Sequence, residues 1–150
     1  MTYETGILRQ TTYYPYAWAL KCARGQVLDL VIESATYPIK PDGLEADLAR
    51  SGDFPNVDVT ATSDPQGNQV CVFLLNRDLE NERELVLDWR DTTPSRVLAC
   101  QTLTGSDLKA VNTFARPMQV APRPLDPPKV GATMTFELPA RSYTVAQIAV

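Results

Sequence analysis

Apolar residues hold every position from Val70 to Leu75, so neither face of that stretch can be left in water. A strand of this kind sits mid-sheet with cover on both sides. Turn formers and charges follow from Asn76 to Glu82, and Leu85, Leu87 and Trp89 then resume on alternate positions. The pattern predicts a β-hairpin over Gln69–Trp89, its first strand central and its second with one wetter face. The same alternation marks Val57–Thr62, with Val57, Val59 and Ala61 inward, and Thr133–Leu138, with Met134, Phe136 and Leu138 inward. Arg96–Thr104, Ser142–Val150 and the β-branched run Val27–Glu33 read as further strands.

A helical period occurs once, near the start. Tyr13, Tyr16, Ala17 and Leu20 share one face at that spacing, and Tyr14, Trp18 and Cys22 form a second stripe. Thr11 or Thr12 can cap this helix, Pro15 falls in its first turn, and Gly25 stands where a C-terminal glycine belongs. A helix apolar on two sides needs two partners, of which a sandwich supplies one. Between the strands, Ser34–Pro55 is polar and proline-bearing and reads as irregular, with a short helix around Leu44–Arg50. Asp64–Asn68 is turn chemistry, and the aperiodic stretch from Gly105 to Pro128 is a long loop of the kind that wraps a surface or does a job. Roughly seven strands without helical crossovers define an all-β chain, an antiparallel sandwich preceded by one α-helix.

Composition narrows the chemistry. The 150 residues include no histidine, which removes Ser-His-Asp and Cys-His nucleophile systems and most histidine-based metal sites. The net charge of -4 argues against a nucleic-acid partner. No apolar run spans a bilayer and no leader opens the chain, so no membrane association and an untargeted, cytoplasmic product are expected. Cys22, Cys71 and Cys100 stand apart among apolar neighbours and read as buried, reduced thiols.

Glycosidic hydrolysis needs two carboxyl groups flanking one bond. Glu33, Glu45, Glu80, Glu82, Glu84 and Glu137 are available, but turn and wet-face positions make most of them solvated charges, and Glu33 has no nameable partner. Asp42, Asp47, Asp53 and Asp58 do not match a calcium loop. The aromatics Tyr13, Tyr14, Tyr16 and Trp18 sit at helical spacing, which is packing before it is sugar stacking; Tyr37, in a loop, is freer to stack. The residues alone assemble no complete active site.

Four strings give the chain a resemblance: LRQTTYYPYAWALKCARGQVLDLVIESATY at the start, LLNRDLENERELVLDW in the middle, TLTGSDLKAVNTFARPMQVAPRP in the long loop and LPARSYTV near the end. Together they resemble the C-terminal portion of the intracellular-type α-L-arabinofuranosidases of glycoside hydrolase family 51. The resemblance implies a jelly-roll-like sandwich over residues 26–150 and, in residues 1–25, the remnant of the last loop and outer helix of a (β/α)₈ barrel. It implies that two catalytic glutamates lie upstream, on barrel strands this chain lacks, and no glutamate here matches either family motif. Gln10, in Arg9-Gln10-Thr11, matches the family glutamine that hydrogen-bonds arabinose in the cleft. The implied reaction is retaining release of terminal α-L-arabinofuranosyl groups from arabinose-containing oligosaccharides, without metal or cofactor. The implied partners are the missing barrel and further copies in a homo-oligomer. The rival expectation is a carbohydrate-binding module that uses exposed aromatics and the 105–128 loop.

Overall fold

The computed structural model describes residues 2–3, 6–39 and 52–150. The expected short helix at Leu44–Arg50 and the carboxylates Asp42, Glu45 and Asp47 lie outside the described residues. Short pairings open the chain, β1 (Thr2–Tyr3) with β2 (Gly6–Ile7), before helix α1 (Tyr13–Cys22). β3 (Gln26–Val27), β4 (Thr36–Ile39), β5 (Gly52–Pro55) and β6 (Val57–Ser63) follow. Next come β7 (Gln69–Asn76), β8 (Arg83–Asp88) and β9 (Arg96–Leu103). β10 (Arg123–Pro124), β11 (Thr133–Leu138) and β12 (Ser142–Ala149) complete the order.

β7 is central, as its composition requires. It pairs antiparallel with β6 on one side and β12 on the other, within a six-stranded sheet ordered β10-β9-β12-β7-β6-β3. Successive side chains of a strand point to opposite faces, so its two alternating sets serve two layers. Val70, Val72 and Leu74 join Val57, Val59, Ala61, Ala146 and Ile148 under a second, two-stranded sheet of β8 and β11. That sheet contributes Met134, Phe136 and Leu138, all essentially inaccessible to solvent. The opposite set, Cys71 and Phe73, packs with Val145 beneath Trp18 of the helix. The antiparallel sandwich with one preceding helix is therefore the observed fold, and the buried Thr144 and Thr102 hydroxyls inside it satisfy each other at 2.8 Å.

Four local expectations are corrected. β7 and β8 form no hairpin, because β8 pairs with β11 in the other sheet. The link between them is a crossover from one layer to the other, held by side chains. Asn76 Nδ2 lies 3.1 Å from the Leu138 carbonyl and 3.0 Å from that of Pro139, so it ties the end of β7 to the end of β11. The predicted strand Val27–Glu33 is paired over Gln26–Val27 alone, against Thr62 and Ser63; beyond the Leu28 N–H to Ala61 carbonyl bond the segment leaves the sheet, and Val31 is exposed. Ser34–Pro55 is not irregular throughout, since β4 and β5 pair across it, with Pro55 at the end of this short ladder and Pro38 inside it. Neither threonine side chain caps α1; backbone bonds from Tyr13 and Tyr14 to the Gln10 and Thr11 carbonyls close its first turn instead.

The crossover also carries a titration. The Asp78 carboxylate accepts from the backbone N–H groups of Glu80 and Asn81 at 3.0 Å each and from Arg83 Nε at 2.9 Å. Those two backbone donors, and then the guanidinium, hold its pKa well below the usual carboxylate range. A depressed folded-state pKa contributes stability that is present above the ordinary Asp value of about 3.9 and is lost as pH falls toward the folded value. Unfolding free energy measured in urea should therefore drop below about pH 4, and Asp78→Asn should flatten that slope. An unchanged slope in the variant would rule the crossover out as its source.

The three thiols are free, with Cys71 and Cys100 buried and Cys22 half-buried. Burial pushes the Cys100 thiol up to about 11, and burial followed by the neighbouring Cys22 pushes Cys71 higher still. Both are protonated packing groups at neutral pH.

Candidate functional site

α1 is where the two stripes of the sequence separate. Trp18 stacks on Tyr143 at 6.0 Å between ring centroids, and Tyr143 stacks in turn on Phe73. The indole Nε1 donates to Gln101 Oε1 at 3.2 Å, which leaves this large buried ring without an orphan donor. At the helix end, Gln147 Nε2 donates to Cys22 Sγ and the Thr62 hydroxyl donates to the Cys22 carbonyl. Gly25 then turns the chain with φ 92°. The Tyr14–Trp18–Cys22 stripe is thus docked on the sheet. The opposite stripe is bare, with Tyr16 74% and Leu20 72% exposed and Tyr13 also exposed.

Ahead of the helix, Arg9-Gln10-Thr11 meets the long loop around Asn112. That asparagine is 1% exposed. Its Nδ2 donates to the carbonyls of Arg9 and Val120, each at 2.9 Å, and its Oδ1 accepts from the Val120 N–H at 2.8 Å. Gln10 is half-buried and donates from Nε2 to the Asn112 carbonyl at 3.2 Å. The Arg9 guanidinium lies 5.0 Å from the centre of the Tyr13 ring, a cation–π contact at the surface. One buried side-chain amide therefore closes the loop on itself and fastens it to the segment that bears Gln10. Nothing in the sequence singled out Asn112; the only local signal was a short polar residue in an aperiodic, proline-rich stretch.

Among the described acids, Glu84 and Glu137 stand opposite each other across the β8–β11 ladder, on its solvent face. Glu33, Glu80, Glu82, Glu84 and Glu137 are all exposed, and Asp58 is committed to Arg77 at 2.6 Å. Among the described residues no cluster of three metal-ligating side chains occurs, and no helix is long and apolar enough to cross a membrane. The aromatics are mostly packed: Tyr14 and Trp18 are buried, and Tyr37 lies half-buried in β4 against Phe54, not in a loop. What this arrangement does chemically is hold one glutamine-bearing segment in a fixed relation to a sheet.

Fold and site thus define a β-sandwich with a helix seated on it, not a ready-made acid–base pair. The model of the α-L-arabinofuranosidase C-terminal domain matches residues 1–142, and the chain belongs to that family. An intracellular exo-α-(1→5)-L-arabinofuranosidase from Streptomyces lividans is 32% identical over 118 residues, which is 79% of this chain and 16% of that protein. The enzyme of the same description from Bifidobacterium longum is 32% identical over 142 residues, covering 90% of this chain and 24% of its own. A solved family 51 α-L-arabinofuranosidase from Bifidobacterium longum superposes with TM-score 0.78 at 32% identity over 94% of this chain and 26% of that one. The chain spans about a quarter or less of these relatives. The comparisons lend the sugar-binding-module expectation no support.

Proposed function

We propose that this chain is the ancillary C-terminal part of an α-L-arabinofuranosidase whose (β/α)₈ barrel performs retaining hydrolysis of terminal α-L-arabinofuranosyl groups. Residues 1–25 are the remnant of the barrel's last loop and outer helix, and residues 26–150 are the sandwich that supports it. The observation that carries this reading is the divided helix, with Trp18 seated on the sheet while Tyr16 and Leu20 face solvent. Covering two such side chains is worth roughly 1.5–3 kcal/mol each, and the barrel is the proposed cover. Contacts between copies in a homo-oligomer, on surface that the barrel leaves uncovered, belong to the same proposal.

Gln10 is the proposed arabinose contact. The support for this is its match to the family motif and its anchorage, since its amide is held by Asn112 and not left to sample solvent. Loops at the C-terminal ends of barrel strands build the active sites of that fold, and an anchored amide loses less entropy on binding. The names of the relatives support a cytoplasmic location.

The 150-residue chain by itself is expected to release no aryl alcohol from an aryl α-L-arabinofuranoside above the buffer rate, because the glutamates among the described residues, the cross-strand neighbours Glu84 and Glu137 included, lie exposed on the surface with no cleft around them. Turnover that disappears when one carboxylate of this chain is replaced would overturn the reading.

A further inference from the structure

Two adjoining hollows of about 440 and 420 Å³ lie where the start and end of the long loop meet the β11–β12 turn. Arg141 and Asp107 line both of them. We propose that this cleft binds a monoanionic carboxylate carried on an acidic sugar, with Arg141 as the group that recognises the charge. The inference does not depend on the arabinoside reading.

Arg141 is unusual in two independent ways. Its backbone has φ 53°, the left-handed region that favours glycine, and it is the one non-glycine residue there among the described residues. Its Nε is also buried without a hydrogen-bond partner, and so is the neighbouring Ser142 Oγ, which lines the same cleft. These are two of the three such atoms among the described residues. Buried polar groups in folded proteins are nearly always satisfied. A strained arginine at a turn that any glycine could make points to a task for the side chain.

Charge and shape select the ligand. The charged residues lining the two hollows are Arg77, Asp107, Arg123 and Arg141. Arg77 is neutralised by Asp58. Two guanidiniums against Asp107 leave a surplus of one positive charge, which a carboxylate balances and a phosphate dianion exceeds. The planar fork of arginine matches a carboxylate edge. Leu103, Leu108 and Tyr143 give the second hollow an apolar wall, and Ser106 gives the first a hydroxyl. An apolar wall beside a hydroxyl and an arginine suits the C–H face, ring hydroxyls and acid of a uronic acid.

The test titrates the 150-residue chain at low salt with D-glucuronate, acetate and neutral D-xylose, following amide shifts by NMR. Glucuronate should bind at about millimolar concentration, with xylose at least about tenfold weaker. Arg141→Gly suits φ 53°, so its Tm should hold or rise while glucuronate affinity falls at least about tenfold. Acetate much weaker than glucuronate supports the acidic sugar in full. Acetate equal to glucuronate overturns the sugar part and leaves a bare carboxylate site. Xylose equal to glucuronate, no glucuronate shift in the tens-of-millimolar range, unchanged binding in Arg141→Gly, or a fall in its Tm would each overturn the proposal.

Discussion

Gly25→Ala is expected to destabilise the chain by about 3 kcal/mol or more, a shift of well over about 1 M in a urea midpoint. Two costs combine at this position. The backbone is at φ 92°, where a β-carbon adds about 1–2 kcal/mol. An added Cβ would also stand 2.2 Å from the Ser63 carbonyl oxygen, so either the end of the helix or the start of the Asp64–Asn68 turn must move. Gly67→Ala separates the two terms. Its φ is 72° but nothing lies within 4 Å of the added carbon, so only the conformational cost of about 1 kcal/mol applies. Equal midpoints for the two variants would mean that the close approach at Gly25 contributes nothing.

Asn112→Ala should cost about 2–4 kcal/mol and, more tellingly, release the long loop. The substitution strands the Arg9 and Val120 carbonyls and the Val120 N–H in a buried place, and unsatisfied groups are costlier there than the bonds themselves were worth. Asn112→Asp keeps the acceptor for the Val120 N–H but sets a buried carboxylate oxygen against the Arg9 and Val120 carbonyls, so it should cost at least as much as alanine. Limited trypsin digestion reads the loop directly: cleavage after the exposed Lys109 should quicken in both variants while cleavage in the sheets lags behind. A loop equally resistant in the alanine variant would show that the asparagine does not anchor it.

Which parts of this molecule could be read from the chain follows from what local pattern encodes. β7 announced its double cover because every position from Val70 to Leu75 is apolar. The two stripes of α1 and the strict alternation of β11 were equally plain. Choice of partner was not. The residues after Asn76 have the chemistry of a hairpin turn, and only contacts with Leu138 and Pro139, distant in sequence, make them a crossover. Val27–Glu33 has strand propensity along its whole length, but propensity without a neighbour to pair with leaves the last residues outside the sheet. The site was less legible than the fold. Gln10 came from family likeness and not from its surroundings, and the burial of Asn112 depends on two segments about a hundred residues apart meeting.

β7 has a further consequence for how this chain can be cut. Adjacent residues on it floor different layers: Val72 looks into the sandwich while Cys71 and Phe73 look toward the helix. A truncation that starts at Gln26, tidy by ancestry, would lay bare a greasy strip down the middle of the main sheet. The seam between helix and sandwich is thus not a place where the polypeptide can be parted, and a shortened version should precipitate where the longer one stays in solution.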